Sequence, residues 1–242
     1  MIESLDNATI KSLRKLKQKK YRDKQQAFLV EGHHLVEEAI KAGVCDQVIH
    51  TEDVDVDFTK TLLVSDAVFS SLSDVMSPQG VMAVCLKQPG DFSPGDYLLL
   101  DHIQDPGNMG TLLRSAKAFG FENIVLDECV DVYNPKVLRA TQGVIFNLDL
   151  KSMTLEDFLS RYKESLRIYG TDVTNGESLS SIKRTKDERV ALLLGNEGAG
   201  VKECLLNAAD HILSIDMPGA ESLNVAVAGG IIMHRFYERK EK

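Results

Sequence analysis

The sequence predicts an α/β protein, with a small N-terminal α/β unit followed by a larger domain built on a mostly parallel sheet. Two observations carry this. The apolar runs YLLLD (97–101), NIVLD (123–127), LRIYGTDV (166–173), RVALLLG (189–195) and HILSID (211–216) alternate with helical patterns. Strands that are apolar on both faces belong to parallel sheets covered by helices on both sides. The second observation is KQPGDFSPGD (87–96), which holds two prolines and two glycines and separates that alternation from a shorter one before it. The expected organisation is a basic arm over 1–24, an α/β unit over 25–88, a linker over 89–96 and the parallel domain over 97–242.

The arm holds Lys11, Arg14, Lys15, Lys17, Lys19, Lys20, Arg22 and Lys24 against Glu3, Asp6 and Asp23. Its charge of +5 sits on a chain of net −8, so the other residues carry −13. A charge run is ordinarily a solvated helix face. A basic arm on an acidic body is also a footprint for a polyanion, because phosphate binding follows local charge. Arg14, Lys15, Lys17, Lys19, Lys20 and Arg22 are the candidate contacts.

Next, QAFLVEGHHLVEEAIKAGVCDQVIHT reads as strand, helix, strand. Leu35, Val36, Ala39 and Ile40 share one helical face, and Gly43 closes the helix. In TLLVSDAVFSSLSDV, Ser65 or Asp66 is the expected N-cap, and GVMAVCL reads as a buried strand. Within the larger domain QGVIFNLDL is expected to contain a strand, and Met109, Leu112, Leu113, Ala116 and Phe119 face the sheet from the helix after YLLLD. No apolar run is long enough to span a membrane and the N-terminus has no apolar signal core, so the cytoplasm is the expected location. Cys45, Cys85, Cys129 and Cys204 lie far apart without ligand spacing, and His33-His34 opens a helix, so no metal site is expected.

Three loops carry more polar detail than a turn needs. DHIQDPGNMGTLLR (101–114) places Asn108 at a helix start and Arg114 on the side of that helix opposite its apolar face. A structural reading makes Asn108 an N-cap and Arg114 a solvated charge. GNEGAGV (195–201) follows a buried strand and leads to a helix near Val201; its glycines permit close backbone approach to a ligand. IDMPGAESLNVAVAGG (215–230) runs into a helix that Ser222 is placed to cap. Gly229 and Gly230 thin that helix, at about 1 kcal/mol each, which close packing must offset. Neither GxGxxG nor GxxxxGK[ST] occurs at a strand end, which argues against a dinucleotide or P-loop enzyme.

NxGxxxR, GNEGxG and ESLNVxVA, in this order at three strand ends, resemble the SpoU (TrmH) family of RNA ribose 2′-O-methyltransferases in the SPOUT class. KYRDKQQAFLVEGHHLVEEAIKAG and SPQGVMAV resemble that family's N-terminal substrate-binding domain, which is L30e-like. The resemblance implies a C-terminal domain tied in a deep trefoil knot, a rare exception to unknotted topology. It also implies a homodimer, S-adenosylmethionine as cofactor and RNA as substrate. Gly195, Ile215 and Leu223, with Asn196 and Met217 beside them, match the cofactor positions. Arg114, Asn108, Glu197, Ser222 and Asn224 match the catalytic ones. The separate L30e-like domain favours 23S ribosomal RNA over transfer RNA. One departure stands out: the family usually reads Ile-Pro-Met before the last helix, and this chain reads Ile215-Asp216-Met217-Pro218. Retention of every polar position speaks for activity over a non-catalytic RNA-binding paralogue.

Overall fold

The computed structural model describes residues 1–185 and 187–240, the last three by backbone only. In chain order the elements are α1 (Ala8–Lys15), α2 (Lys19–Gln25), β1 (Ala27–Glu31), α3 (His33–Lys41), β2 (Cys45–His50), β3 (Thr61–Leu63), α4 (Asp66–Leu72) and β4 (Val81–Leu86). They continue with β5 (Tyr97–Asp101), α5 (Pro106–Ala118), β6 (Asn123–Asp127), α6 (Pro135–Thr141), β7 (Asp149–Ser152), α7 (Leu155–Tyr162) and β8 (Arg167–Thr171). The chain closes with β9 (Glu177–Ser178), β10 (Val190–Leu194), α8 (Glu203–Leu206), β11 (His211–Ser214) and α9 (Val225–Lys240).

Two compact units result: Met1–Gln88 with Asp131–Phe146, and Pro89–Val130 with Asn147–Lys242. In the first, β1-β4-β2-β3 form a mixed sheet in which β4 runs antiparallel to both neighbours. The basic segment is not a free arm. Asn7 caps α1 through Thr9 and Ile10 amides, and Ile10, Leu13 and Leu16 enter the core beside Val68, Phe69 and Leu72 of α4. Ser65 caps α4 by accepting from the Val68 amide. On α3, Leu35, Val36 and Ala39 are buried and Ile40 half-buried; Gly43 follows with φ +70°. Residues 131–146 complete this unit: Tyr133 stacks on Phe28 with centroids 4.6 Å apart, and Asp131 pairs with Arg22 at 2.5 Å.

The strand expected within QGVIFNLDL takes in only its last two residues, and that packing explains why. Val144–Asn147 forms a 3-10 turn, not a strand, because Gln142 and Gly143 both take positive φ and Phe146 turns towards Phe28. The strand of this stretch is Asp149–Ser152, at the edge of the other sheet.

The second unit holds seven strands, all parallel, ordered β7-β6-β5-β10-β8-β11-β9. Every residue of β5, β6 and β10 is buried, as continuous apolar runs require. Within 89–96, Phe92 packs in an aromatic cluster with Tyr97, Phe158 and Tyr162. Asp96 is 2% exposed, accepts from the Val190 amide and pairs with Arg184 at 2.7 Å. Helices α5 and α9 pack together where Gly229 lets α9 approach; a Cβ there would lie 2.6 Å from Leu112 and 2.7 Å from Leu194. Among the described residues no helix is long and apolar enough to cross a membrane.

Candidate cofactor cleft and active site

Helix α5 starts at the carboxyl end of β5. Asp105 is its cap, accepting from the Asn108 amide at 2.8 Å, and Pro106 takes the first helical position, where a missing N–H costs nothing. Asn108 is therefore in the first turn rather than at the cap, which frees its side chain. Arg114 is exposed and makes no hydrogen bond or ion pair among the described residues.

The loop after β10 is closed by reciprocal backbone bonds between Asn196 and Gly200, at 3.0 and 2.9 Å. The Asn196 side chain accepts from the Gly198 and Ala199 amides and donates to the His102 carbonyl at 2.9 Å. This ties the β10 loop to the β5 loop. Asp101, 1% exposed, adds a second tie by accepting from the Lys202 amide at 3.1 Å. The next helix begins at Glu203 rather than Val201.

Glu197 accepts from Asn108 Nδ2 at 3.0 Å and from the Asp105 amide at 3.4 Å, both through Oε1. Asn224 caps α9 by accepting from the Ala226 and Val227 amides, at 2.9 and 3.3 Å, and its amide donates to Asn108 Oδ1 at 2.8 Å. The cap is Asn224 and not Ser222. One directional chain, Asn224 to Asn108 to Glu197, thus joins the three loops, and each amide uses both its oxygen and its nitrogen.

Beside this chain lies a cleft of about 320 Å³, formed by the loops after β8, β10 and β11. Gly195, Asn196, Ile215, Met217 and Leu223 line it, as does Ser222. Asn108, Arg114 and Asn224 do not. Sequence reasoning missed one wall, Thr171–Thr174. Asp172 shapes that wall, accepting from the Thr174 and Asn175 amides at 2.7 and 2.9 Å; these amides hold its carboxyl below the usual carboxylate range. The signal was legible, since Asp followed by Thr-Asn at a strand end is an Asx-turn pattern.

The cleft has the volume of a small-molecule site, mainly apolar side chains and exposed loop backbone. Among the described residues its charged lining is Asp172 and Glu197, with no lysine or arginine. That balance suits a cationic ligand and disfavours a nucleotide phosphate. Gly195 has no room for a side chain, since a Cβ would meet Gly200 and Val201 backbone at 2.2 Å. The residues present therefore fit a sulfonium cofactor held largely through backbone. Among the described residues no group of three or more His, Cys, Asp or Glu side chains is placed to hold a metal.

The candidate phosphate contacts divide sharply. Lys15, Lys19 and Lys20 are exposed, with Lys15 over the Tyr21 ring and Lys19 paired to Asp23. Arg14 and Lys17 are half-buried and bonded to Ser71 and to the Ser73 carbonyl. Arg22 is 4% exposed and is spent on the Leu16 carbonyl and Asp131, so it is a structural residue and not a phosphate contact.

A parallel α/β domain with three polar loops converging at strand ends, beside an acidic-lined cleft, defines a protein that binds a small cationic ligand next to a polar reaction site. Residues 96–234 match the SpoU rRNA methylase family, and residues 7–83 match the MRM3-like substrate-binding domain. The chain belongs to the SpoU rRNA methylase family. It is 37% identical to the 23S rRNA (guanosine(2553)-2′-O)-methyltransferase RlmP of Bacillus subtilis, over 96% of this chain and 97% of that one. An rRNA methyltransferase structure from Sinorhizobium meliloti superposes with a TM-score of 0.85 at 30% identity, covering 97% of this chain and 95% of that one. The AdoMet-bound form of that enzyme gives the same TM-score and coverage at 29% identity.

Proposed function

We propose that this protein transfers a methyl group from S-adenosylmethionine to a ribose 2′-hydroxyl of 23S ribosomal RNA. The observation that carries the reading is the cleft itself: the positions expected for cofactor line it, and three of the five polar residues expected at the reaction, Asn224, Asn108 and Glu197, form one hydrogen-bonded chain at its side. RNA as substrate is in keeping with the rRNA-directed relatives.

The bound cofactor supplies an electrophilic methyl group with a neutral thioether behind it as leaving group. The chain's task is then alignment and activation of the hydroxyl. Arg114 holds the neighbouring phosphate and stabilises the alkoxide as it develops, the work of a fixed positive charge with donors in a planar fork. Asn108, fixed by Glu197 and Asn224, presents its amide at the same helix end. Ser222, on the cleft lining, faces the transfer region.

The working form is a homodimer through the C-terminal domain, which is supported by exposed apolar side chains along α9: Val227 at 51%, Ile231 at 41% and Tyr237 at 38%. A deep trefoil knot in the second unit and a cytoplasmic location belong to the same reading. The exposed lysines of α1 and α2 supply non-specific phosphate contacts ahead of recognition.

The test is methyl transfer from labelled S-adenosylmethionine to unmodified 23S rRNA and to unmodified tRNA in parallel, with products mapped by resistance to alkaline cleavage. Label at one 2′-oxygen of rRNA is the expected result. Label in tRNA alone would overturn the substrate, and RNA binding without transfer would overturn the reaction.

A further inference from the structure

The loop between β11 and α9 places Ile215 and Met217 on the cleft lining, with Asp216 between them directed elsewhere. Its carboxylate Oδ2 receives the Ser178 hydroxyl. Donor accounting fixes the direction of what lies behind. A serine hydroxyl has one proton and two acceptor lone pairs. Ser178 Oγ gives its proton to Asp216, so it can only accept from Ser180, whose amide and hydroxyl stand at 3.3 and 2.8 Å. The Ser180 carbonyl in turn accepts from Arg235 of α9 at 3.1 Å. The contacts from Arg235 through Ser180 and Ser178 thus end on Asp216, the residue between two that line the cleft.

The platform under it is stiff. Ser178 pairs with Ser214 in the β9–β11 ladder, and Gly176 packs so closely on Leu213 and Ser214 that a Cβ would lie 2.5 Å from their backbone. Ile215 and Met217 line the cleft and Asp216 between them does not, so neighbouring side chains of this segment leave the backbone in different directions. Fixing the middle one therefore fixes how its two neighbours face the ligand. Among the described residues no other hydrogen bond holds this stretch, and the next anchored residue is Asn224, at the α9 cap.

We propose that Asp216 is a positioning residue for the cofactor, acting through Ser178 to set the facing of Ile215 and Met217 towards the cleft. The inference rests on the cofactor reading above. It makes the loop's geometry depend on a hydrogen bond, where a backbone-restricted residue at 216 would need none.

The experiment is calorimetric titration of the full-length protein with S-adenosylmethionine and with S-adenosylhomocysteine, followed by steady-state kinetics. Asp216→Ala is expected to weaken cofactor binding about tenfold, the scale of one charge-assisted hydrogen bond, and Ser178→Ala to do the same. The double variant should bind no worse than either single one, because both remove the same bond. Asp216→Asn, whose side-chain oxygen still accepts from Ser178, should recover binding to within about threefold of the unaltered protein. The KM for cofactor should rise while kcat at saturating cofactor and the KM for RNA hold, a split that general loosening of the fold would not give. Unchanged binding in Asp216→Ala, additive losses in the double variant, or no recovery in Asp216→Asn would each overturn the proposal. Failure of the unaltered protein to bind either ligand would instead overturn the cofactor reading, and this inference with it.

Discussion

Gly195→Ala tests whether the β10 loop is the rigid floor of the cofactor cleft. The new Cβ would sit 2.2 Å from the Gly200 carbonyl carbon and the Val201 nitrogen, and 2.3 Å from the Gly200 oxygen. Carbon contacts are at their best near 3.5–4 Å, so one strand of the loop must retreat by more than about 1 Å. The obstacle is backbone, which has no rotamer to change. Retreat breaks the paired Asn196–Gly200 bonds, about 1 kcal/mol each, and overpacking adds about 1–3 kcal/mol. The expected destabilisation is about 3–5 kcal/mol, or a fall in Tm of about 6–20 °C for a chain of this size. If the loop regains its binding shape only by giving up the two bonds, cofactor affinity falls about thirtyfold. Differential scanning fluorimetry and calorimetric titration read the two effects. Gly198→Ala is the control, because its Cβ would meet only Asn196 Oδ1 at 3.5 Å, an ordinary contact; it should stay within about 0.5 kcal/mol. A Gly195→Ala protein with unaltered Tm and affinity would refute the reasoning.

Arg114→Ala should lower kcat about 10²–10³-fold while leaving cofactor binding intact, since Arg114 does not line the cleft; turnover near that of the unaltered enzyme would remove its proposed role. Arg22→Ala strands Asp131, whose side chain is 14% exposed, and should cost about 3–5 kcal/mol in urea unfolding. Lys20→Ala should leave stability unchanged and lower the salt dependence of RNA binding by about 0.7–0.9 in log–log slope; an unchanged slope would exclude Lys20 from the interface. The carboxyl of Asp172 is depressed by loop amides, so it contributes stability that is present above the unfolded-state value near about 3.9 and is lost as pH falls through the folded value. The Tm difference between the unaltered protein and Asp172→Asn should accordingly shrink as pH is lowered through the carboxylate range, and a constant difference would place the effect elsewhere.

What the sequence made legible was whatever depends on local pattern. YLLLD, NIVLD and VALLL are buried at every position, and such runs have no other stable home than a sheet covered on both sides. The three loop motifs were legible because polar residues at strand ends have no structural need. Misreadings came from distant contacts. The strand expected within QGVIFNLDL begins only at Asp149, because the apolar residues before it turn and Phe146 meets Phe28, more than a hundred residues earlier. The basic segment looked like an arm because its charges dominate the composition; its spacing of Ile10, Leu13 and Leu16 is equally a helix stripe, and that stripe found a core. Arg22 shows the limit most plainly, because nothing local distinguishes it from Lys20, and only Asp131 from a distant segment makes it structural. Ser65 caps α4 as expected, but the cap of α5 was misassigned: Asp-Pro marks a helix start more strongly than the Asn two residues after the Pro.

The geometry also bears on how the work is divided at the reaction site. Glu197 directs Oε1 at two donors, Asn108 Nδ2 and the Asp105 amide. Its other oxygen stands 3.5 Å from Asn196 Nδ2, at the edge of a hydrogen bond. A carboxylate so engaged is suited to holding neighbours in place. Arg114 has the opposite environment, an exposed guanidinium with no partner among the described residues, so its full charge is available to an incoming phosphate and alkoxide. On the proposed reading the fixed group orients and the uncommitted group binds. Had Arg114 been paired with Glu197 across the loops, forming the RNA contact would first have required breaking that ion pair, and the energy of recognition would have been spent before alignment began.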